Sequence, residues 1–386
     1  MKKLLLFSAL MGLMYQSCSN STIEGETEFE NHMKSDFSSI LDLPDVSYNY
    51  ANPDLPSHFR SNALESIDNT PNNNLITNRG ATLGRVLFYD KNLSANNTTA
   101  CASCHIQAKG FADPIRLSKG FLGGNTGRNS MALANARYYD NGRFFWDERA
   151  RSLEEQVLLP IQDEVEMGLS LSELVDKLQA LDYYTPLFQA AFGSAEVTED
   201  RISKSLSQFV RSMVSYQAKF DAGASQVNNI GNDNFPNFSQ IENQGKRLFF
   251  SGRTECSNCH ETVSFSGDQA RNNGLDAFTT DAGTGGITGR NQDLGKFKVS
   301  SLRNISLTAP YMHDGRFTSL RQVIEFYNNG IQDHPNLDNR LAERNGRPIR
   351  MNLNNQEIDA IVAFLNTLTD QEFVTDVKFS SPFVDR

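Results

Sequence analysis

Apolar residues recur at helical spacing along much of the chain, in short amphipathic segments rather than alternating runs. Between Asp200 and Tyr216, residues Ile202, Leu206, Phe209, Val210 and Met213 fall on one face of a helix. Leu171–Leu181 has the same spacing, and Ser319–Tyr327 and Asn355–Leu368 resume it late in the chain. In the last of these Ile358, Ile361, Val362 and Leu365 share a face, and Asn354 stands at the N-cap. Two further segments end alike. Gly80-Ala81-Thr82-Leu83-Gly84-Arg85-Val86-Leu87-Phe88 and Gln244-Gly245-Lys246-Arg247-Leu248-Phe249 each read as a short helix closing on Leu-Phe. The likeness predicts an internal duplication, one helical unit used twice. The β content is expected to be minor.

Polar interruptions divide this pattern. Asp221–Phe238 is rich in Asn and Gly, contains Pro236, and reads as a linker, while Gly267–Gly295 reads as a polar loop. A chain of 386 residues exceeds what one hydrophobic core usually serves. We therefore expect two domains, 76–235 and 236–386. The N-terminus begins Met1-Lys2-Lys3, followed by an apolar run to Met14 and then Tyr15-Gln16-Ser17-Cys18. That is a secretory signal over residues 1–17, too short to span a membrane. Cys18 stands where a bacterial lipoprotein is lipidated, although Tyr15 replaces the usual Leu; the alternative is an ordinary secreted protein with an incidental cysteine. Residues 18–75, polar over most of their length, then read as a tether and a loosely structured arm. Either way the expected location is extracytoplasmic (the periplasm), with membrane contact only through the lipid anchor. A net charge of −10 argues against a nucleic-acid partner.

Chemistry enters with the cysteines. Cys101-Ala102-Ser103-Cys104-His105 and Cys256-Ser257-Asn258-Cys259-His260 use four of the five, and each lies just beyond one of the Leu-Phe helices. Cys-x-x-Cys-His is the attachment signal of c-type haem: the thiols form thioethers with the porphyrin and the histidine ligates the iron. A zinc site would want its cysteine pairs closer in sequence and would not need a histidine after each. The cofactors expected are two c-type haems. Extracytoplasmic export agrees with this, because c-type haem is attached there.

The intervening segments carry a resemblance. Phe145-Trp146-Asp147-Glu148-Arg149-Ala150 runs into Ser152-Leu153-Glu154-Glu155-Gln156, Pro160-Ile161 and Glu164-Val165-Glu166-Met167. Later come Lys298-Val299-Ser300-Ser301-Leu302-Arg303-Asn304-Ile305 and Leu307-Thr308-Ala309-Pro310-Tyr311-Met312-His313-Asp314-Gly315. Over roughly residues 78–370 these resemble the bacterial di-haem cytochrome c peroxidase family, which includes the MauG enzymes. The resemblance implies a mainly α fold of two cytochrome c-like helical domains, each with one covalently bound haem, and a calcium ion between them. The haem on His105 would be the peroxidatic one.

The resemblance also assigns residues. Glu166 matches the distal acid/base and Gln156 the distal amide, with Pro160 helping to close the pocket; taken without it, Glu166 reads as a solvated acid beside Asp163 and Glu164. Trp146, the only tryptophan, matches the ring between the two haems, although a lone tryptophan is most often core. A second histidine caps the peroxidatic iron in reductively activated relatives, and that position falls here on Phe121, which cannot ligate iron. The distal ligand position of the second haem falls on Tyr327. Tyrosinate there favours the higher oxidation state of iron, and the alternative is a core tyrosine with Met312 or Met351 as the ligand. Calcium would take Asn129, Thr308 and Pro310, an oxygen-only set suited to a hard cation. His313 is expected to hydrogen-bond near the second haem, and His32, His58 and His334 to be ordinary exposed residues.

Three activities follow. One is a peroxidase that reduces hydrogen peroxide to water with electrons from a small redox protein, a cytochrome c or a cupredoxin. Another, raised by Phe121 and Tyr327, is a MauG-like enzyme that oxidises side chains of a partner protein through a bis-ferryl state. The third is a non-catalytic di-haem electron carrier.

Overall fold

The computed structural model describes residues 37–384. The signal segment, Cys18 and His32 lie outside the described residues. The fold is mainly helical, with β structure among the described residues confined to isolated bridges. The longer helices are α1 (Asn78–Tyr89), α2 (Leu171–Gln179), α3 (Tyr184–Phe192), α4 (Glu199–Ser212), α5 (Lys219–Ala224), α6 (Gln240–Phe249), α7 (Leu320–Glu325) and α8 (Asn355–Asn366). The periodic segments thus fold as their spacing predicts. Asn354 caps α8: its Oδ1 accepts from Glu357 N–H at 3.0 Å, and the Glu357 carboxylate accepts from Asn354 N–H at 2.9 Å. Helix α3, whose apolar residues are not confined to one face, is an addition to the sequence reading.

The duplication is visible in the backbone. Helix α1 packs across α4, and α6 packs across α8 in the same way. Gly84 sits at the first crossing and Gly245 at the second. A Cβ on Gly84 would overlap the Ser205 carbonyl, and one on Gly245 the Ala360 carbonyl. Each pair can approach this closely only because glycine stands there. Phe209 and Phe364 occupy matching places beside those glycines.

Two main hydrophobic clusters result. The first gathers Leu83, Leu87, Phe88, Phe188, Leu206 and Phe209; the second gathers Phe220, Phe249, Phe265, Ile361 and Phe364. Both draw on segments read differently from the sequence. Leu41 and Tyr50 belong to the first cluster, so from residue 37 the arm is packed rather than loosely structured. Its sparse apolar residues are widely spaced and carry no period, yet Leu41, Tyr50, Phe59 and Leu64 are buried in core clusters, while Val46 and Leu75 stay exposed. Phe373, Val374 and Phe379, near the C-terminus, also pack into the first cluster and not the second. The supposed linker is ordered too: α5 runs into it, and Phe235 and Phe238 are buried in the second cluster.

The histidines need a further correction. The His58 side chain is only 5% exposed, its Nε2 2.9 Å from Asp221 Oδ1. His334 is also buried, with Nδ1 3.1 Å from Asn272 Nδ2 and Nε2 2.9 Å from Thr279 Oγ1.

Candidate functional site

Both Cys-x-x-Cys-His motifs meet the chain at a tight reversal. Cys101–Cys104 is one helical turn; Ala100 N–H donates to Ser103 Oγ (3.0 Å) at its start. Beyond His105 the Ile106↔Ala112 bridge turns the chain back, with Gly110 and Phe111 both at positive φ. The return places the Phe111 carbonyl 3.0 Å from His105 Nδ1. The second motif repeats the device: the Glu261↔Ser266 bridge, Phe265 at positive φ, and the Phe265 carbonyl 3.3 Å from His260 Nδ1. A carbonyl can only accept, so Nδ1 carries the proton and Nε2 keeps its lone pair. Burial pushes His105 below its usual value and His260 down to about 4, which keeps both imidazoles neutral. All four thiols are free, raised by burial to about 12 at Cys101 and Cys259 and about 11 at Cys104 and Cys256. Neutral imidazoles oriented by a second hydrogen bond, beside free thiols and facing cavities, are what an iron-porphyrin requires. The residues present fit a c-type haem in each cavity.

The cavity on His105 brings together Gln156, Pro160, Glu166, Arg149 and Trp146. Gln156 ends a short helical turn capped by Ser152 Oγ, which accepts from Glu155 N–H at 3.2 Å. Glu166 is held by a turn in which Asp163 Oδ1 accepts from the N–H groups of Val165 (2.8 Å) and Glu166 (3.0 Å). Glu164 remains exposed, whereas Glu166 is half-buried. Burial, reinforced by the Asp163 charge and opposed by Arg149, pushes the Glu166 carboxyl up to about 7. Phe121 is outside this set. Its N–H donates to the Glu166 carbonyl at 3.0 Å, while its ring lies against Gly168.

The second cavity is lined by Cys256, Cys259, His260, Met312, Tyr327 and Met351. Tyr327 lies on a π-helical turn, Phe326–Gly330, that continues α7. Its phenol accepts from Asn273 Nδ2 at 3.2 Å, and burial pushes it up to about 12 against the lowering effect of that hydrogen bond. Met312 and Met351 line the same cavity as Tyr327, so position in the cavity does not choose among the three.

Trp146 belongs to the walls of both cavities. Its Nε1 donates to the Asn129 carbonyl at 2.7 Å, and its own carbonyl accepts from Lys298 N–H at 2.8 Å. The Asn129 N–H in turn donates to the His313 carbonyl at 2.8 Å. His313 itself is buried and stacked on Phe297 with ring centroids 3.7 Å apart. Asn129, Thr308 and Pro310 all line the second cavity. Asn129 Nδ2 donates to the carbonyls of Ile115 (3.2 Å) and Arg116 (3.1 Å), which turns the amide oxygen the other way. An amide oxygen and backbone carbonyls are hard donors that fit a calcium ion.

Some site residues escaped sequence reasoning. Asn273 sits in Gly267–Gly295, the segment read as a polar loop. Arg128 pairs with both Asp147 and Asp281, at 2.5 and 2.7 Å, and lines the first cavity. Lys298, buried between Tyr139 and Phe144 on the shared wall, opens the segment Lys298–Ile305. Only folding places these residues, and no local spacing marks them.

Comparison with known proteins shows the family. A family model described as di-haem cytochrome c peroxidase matches residues 78–228. The methylamine utilization protein MauG of Methylorubrum extorquens is 34% identical over 303 residues, 77% of this chain and 80% of that one. The cytochrome c551 peroxidase of Nitrosomonas europaea is 34% identical over 299 residues, 76% and 80% of the two chains. Among solved structures, a MauG-like protein associated with microbial copper homeostasis superposes with a TM-score of 0.70 at 32% identity, covering 81% of this chain and 95% of that one. Matched in sequence and fold along most of its length, the chain belongs to the di-haem cytochrome c peroxidase family, an oxidoreductase family that includes the MauG proteins and implies two haems.

Proposed function

We propose that this protein is a di-haem peroxidase that reduces hydrogen peroxide to water with electrons from a small redox protein. Cys101, Cys104 and His105 would hold one haem, and Cys256, Cys259 and His260 the other, the thiols as thioethers and the imidazoles on the iron. The observation that carries the reading is the first cavity: Glu166 and Gln156 share it with His105, and Phe121 lies outside it. When bound, the haem supplies an iron that takes oxidising equivalents from peroxide. Glu166 would take a proton from a peroxide held in the cavity and return it to the oxygen that leaves as water; the other oxygen would leave as a second water once the donor protein has supplied two electrons and solvent two protons. A carboxyl near 7 suits both halves of that transfer. Gln156 orients the peroxide through its amide, and Trp146 provides an aromatic path through the wall to the second cavity. Asn129, Thr308 and Pro310 hold calcium beside that wall. The protein works outside the cytoplasm, anchored through Cys18; among the described residues no helix is long and apolar enough to cross a membrane.

A second reading is favoured by Tyr327 in the second cavity and by the MauG relative. A tyrosine-ligated second haem would store oxidising equivalents for use on side chains of a partner protein. Stopped-flow mixing of the fully oxidised, haem-loaded protein with stoichiometric peroxide tests the common part. An immediate absorbance change without reductant is expected. Reaction only after one haem is reduced would overturn the open first site, and inertness in every state would leave an electron carrier. Reduced cytochrome c then separates the two enzymes: rapid turnover supports the peroxidase, and negligible turnover despite peroxide reactivity supports protein modification.

A further inference from the structure

The polar loop that holds Asn273 is pinned at several points. Arg271 and Phe297 exchange backbone hydrogen bonds of 2.9 Å. Asn272, buried, accepts from Gly274 N–H at 2.8 Å, and the Gly274 carbonyl accepts from Gln332 N–H at 2.8 Å. Between these anchors the Asn273 side chain reaches into the second cavity. Its Nδ2 lies 3.2 Å from the Tyr327 hydroxyl and 3.7 Å from Met312 Sδ. An amide nitrogen has two donors, and here each has an acceptor, the Tyr327 oxygen and the Met312 sulfur, two of the three candidate ligands that line this cavity.

Both rivals sit on unusual backbone. Tyr327 is on a π-helical turn, a geometry often found at functional positions. Met312 has φ 73°, held there by the turn closed by Tyr311 N–H to the Phe317 carbonyl (2.8 Å). Backbone thus brings both to the same wall, and a single amide touches both.

We propose that Asn273 is a positioning residue that selects Tyr327 over Met312 as the distal ligand of the second haem. The inference rests on the reading of that cavity as a haem site. The selection works in two ways. A hydrogen bond donated to the phenolic oxygen is strongest when that oxygen carries negative charge, so it favours the oxygen as ligand. The second N–H occupies the methionine sulfur and keeps it on the cavity wall.

The test is Asn273→Leu in the haem-loaded protein, compared with wild type and Asn273→Gln. The readouts are the tyrosinate–iron bands in resonance Raman, the near-infrared methionine–iron charge-transfer band, and the second haem's midpoint potential. Wild type is expected to show tyrosinate. In Asn273→Leu the tyrosinate-to-methionine ratio should fall by about tenfold, the worth of a hydrogen bond to a charged oxygen, with a rise in potential; Asn273→Gln should recover part of it. Tyrosinate bands and potential unchanged in Asn273→Leu would overturn the role of Asn273 alone. A methionine band in wild type would overturn both the proposal and Tyr327 as ligand. Should Asn273→Leu fail to load haem, Asn273→Asp keeps the size and removes the donors, and the same two outcomes decide.

Discussion

Glu166 is one of three acidic residues within four positions, and nothing in their spacing separates them. What separates them is that the turn set by Asp163 carries Glu166 inward while Glu164 stays in solvent. Its raised value has a sign that can be tested. A proton acceptor must be ionised, so peroxide cleavage should rise with pH through about 7 and flatten above it. Glu166→Gln should slow cleavage by roughly 10²–10⁴-fold and erase that limb, measured by single-turnover stopped-flow across pH. A limb that survives in the variant would assign it to another group. The same shift works against stability in alkali. Between the unfolded carboxyl value and about 7 the folded state binds more protons, so this residue's contribution declines as pH rises through that window.

At the scale of elements, the two helix crossings carry the fold. Leu-Phe endings made the duplication legible, but the glycines at the crossings do not announce themselves: glycine within a helix costs ~1 kcal/mol relative to alanine and reads as a weakness. The structure supplies the reason, since the Ala360 carbonyl occupies the space a side chain on Gly245 would need. Gly245→Ala should therefore lower stability by about 1–3 kcal/mol despite the better helix former, measured by denaturant unfolding of the haem-loaded protein. An unchanged or raised midpoint would mean that α6 and α8 can separate without loss. The reversals after both motifs follow the same logic. Phe111 and Phe265 adopt positive φ so that their carbonyls meet the histidines, an expense of backbone strain at the site.

Across the whole molecule one buried ion pair joins segments far apart in sequence. Arg303 is fully buried, its guanidinium 2.6 and 2.9 Å from the Asp221 carboxylate, with His58 on the same carboxylate and Val263 accepting from Nε at 2.9 Å. It ties the N-terminal arm, the presumed linker and the loop after the second haem motif together. Burial alone would raise the Asp221 carboxyl, but the Arg303 charge and the hydrogen bonds of His58 and Arg303 hold it below the usual range. Its stabilisation is therefore present above the unfolded aspartate value of ~3.9 and lost as pH falls through the lower folded value. Asp221→Ala leaves a buried guanidinium uncompensated and should cost about 3–5 kcal/mol in chemical unfolding. A loss below ~1 kcal/mol, the range of exposed pairs, would show that Arg303 finds water in the variant.

The sequence by itself determined the two Cys-x-x-Cys-His motifs and most helices, because both are written locally: five adjacent residues for each motif, and a 3.6-residue period for each helix. The family resemblance then named Glu166, Gln156, Trp146 and Tyr327, and folding gathers the first three around His105 and the last beside His260. What only the tertiary structure decided is non-local. The packed arm, the ordered linker and the buried His58 depend on partners more than a hundred residues away, as the His58–Asp221 pair shows. Asn273, between Tyr327 and Met312, acquires its place in the same way: a loop residue becomes part of a site when distant backbone holds it there.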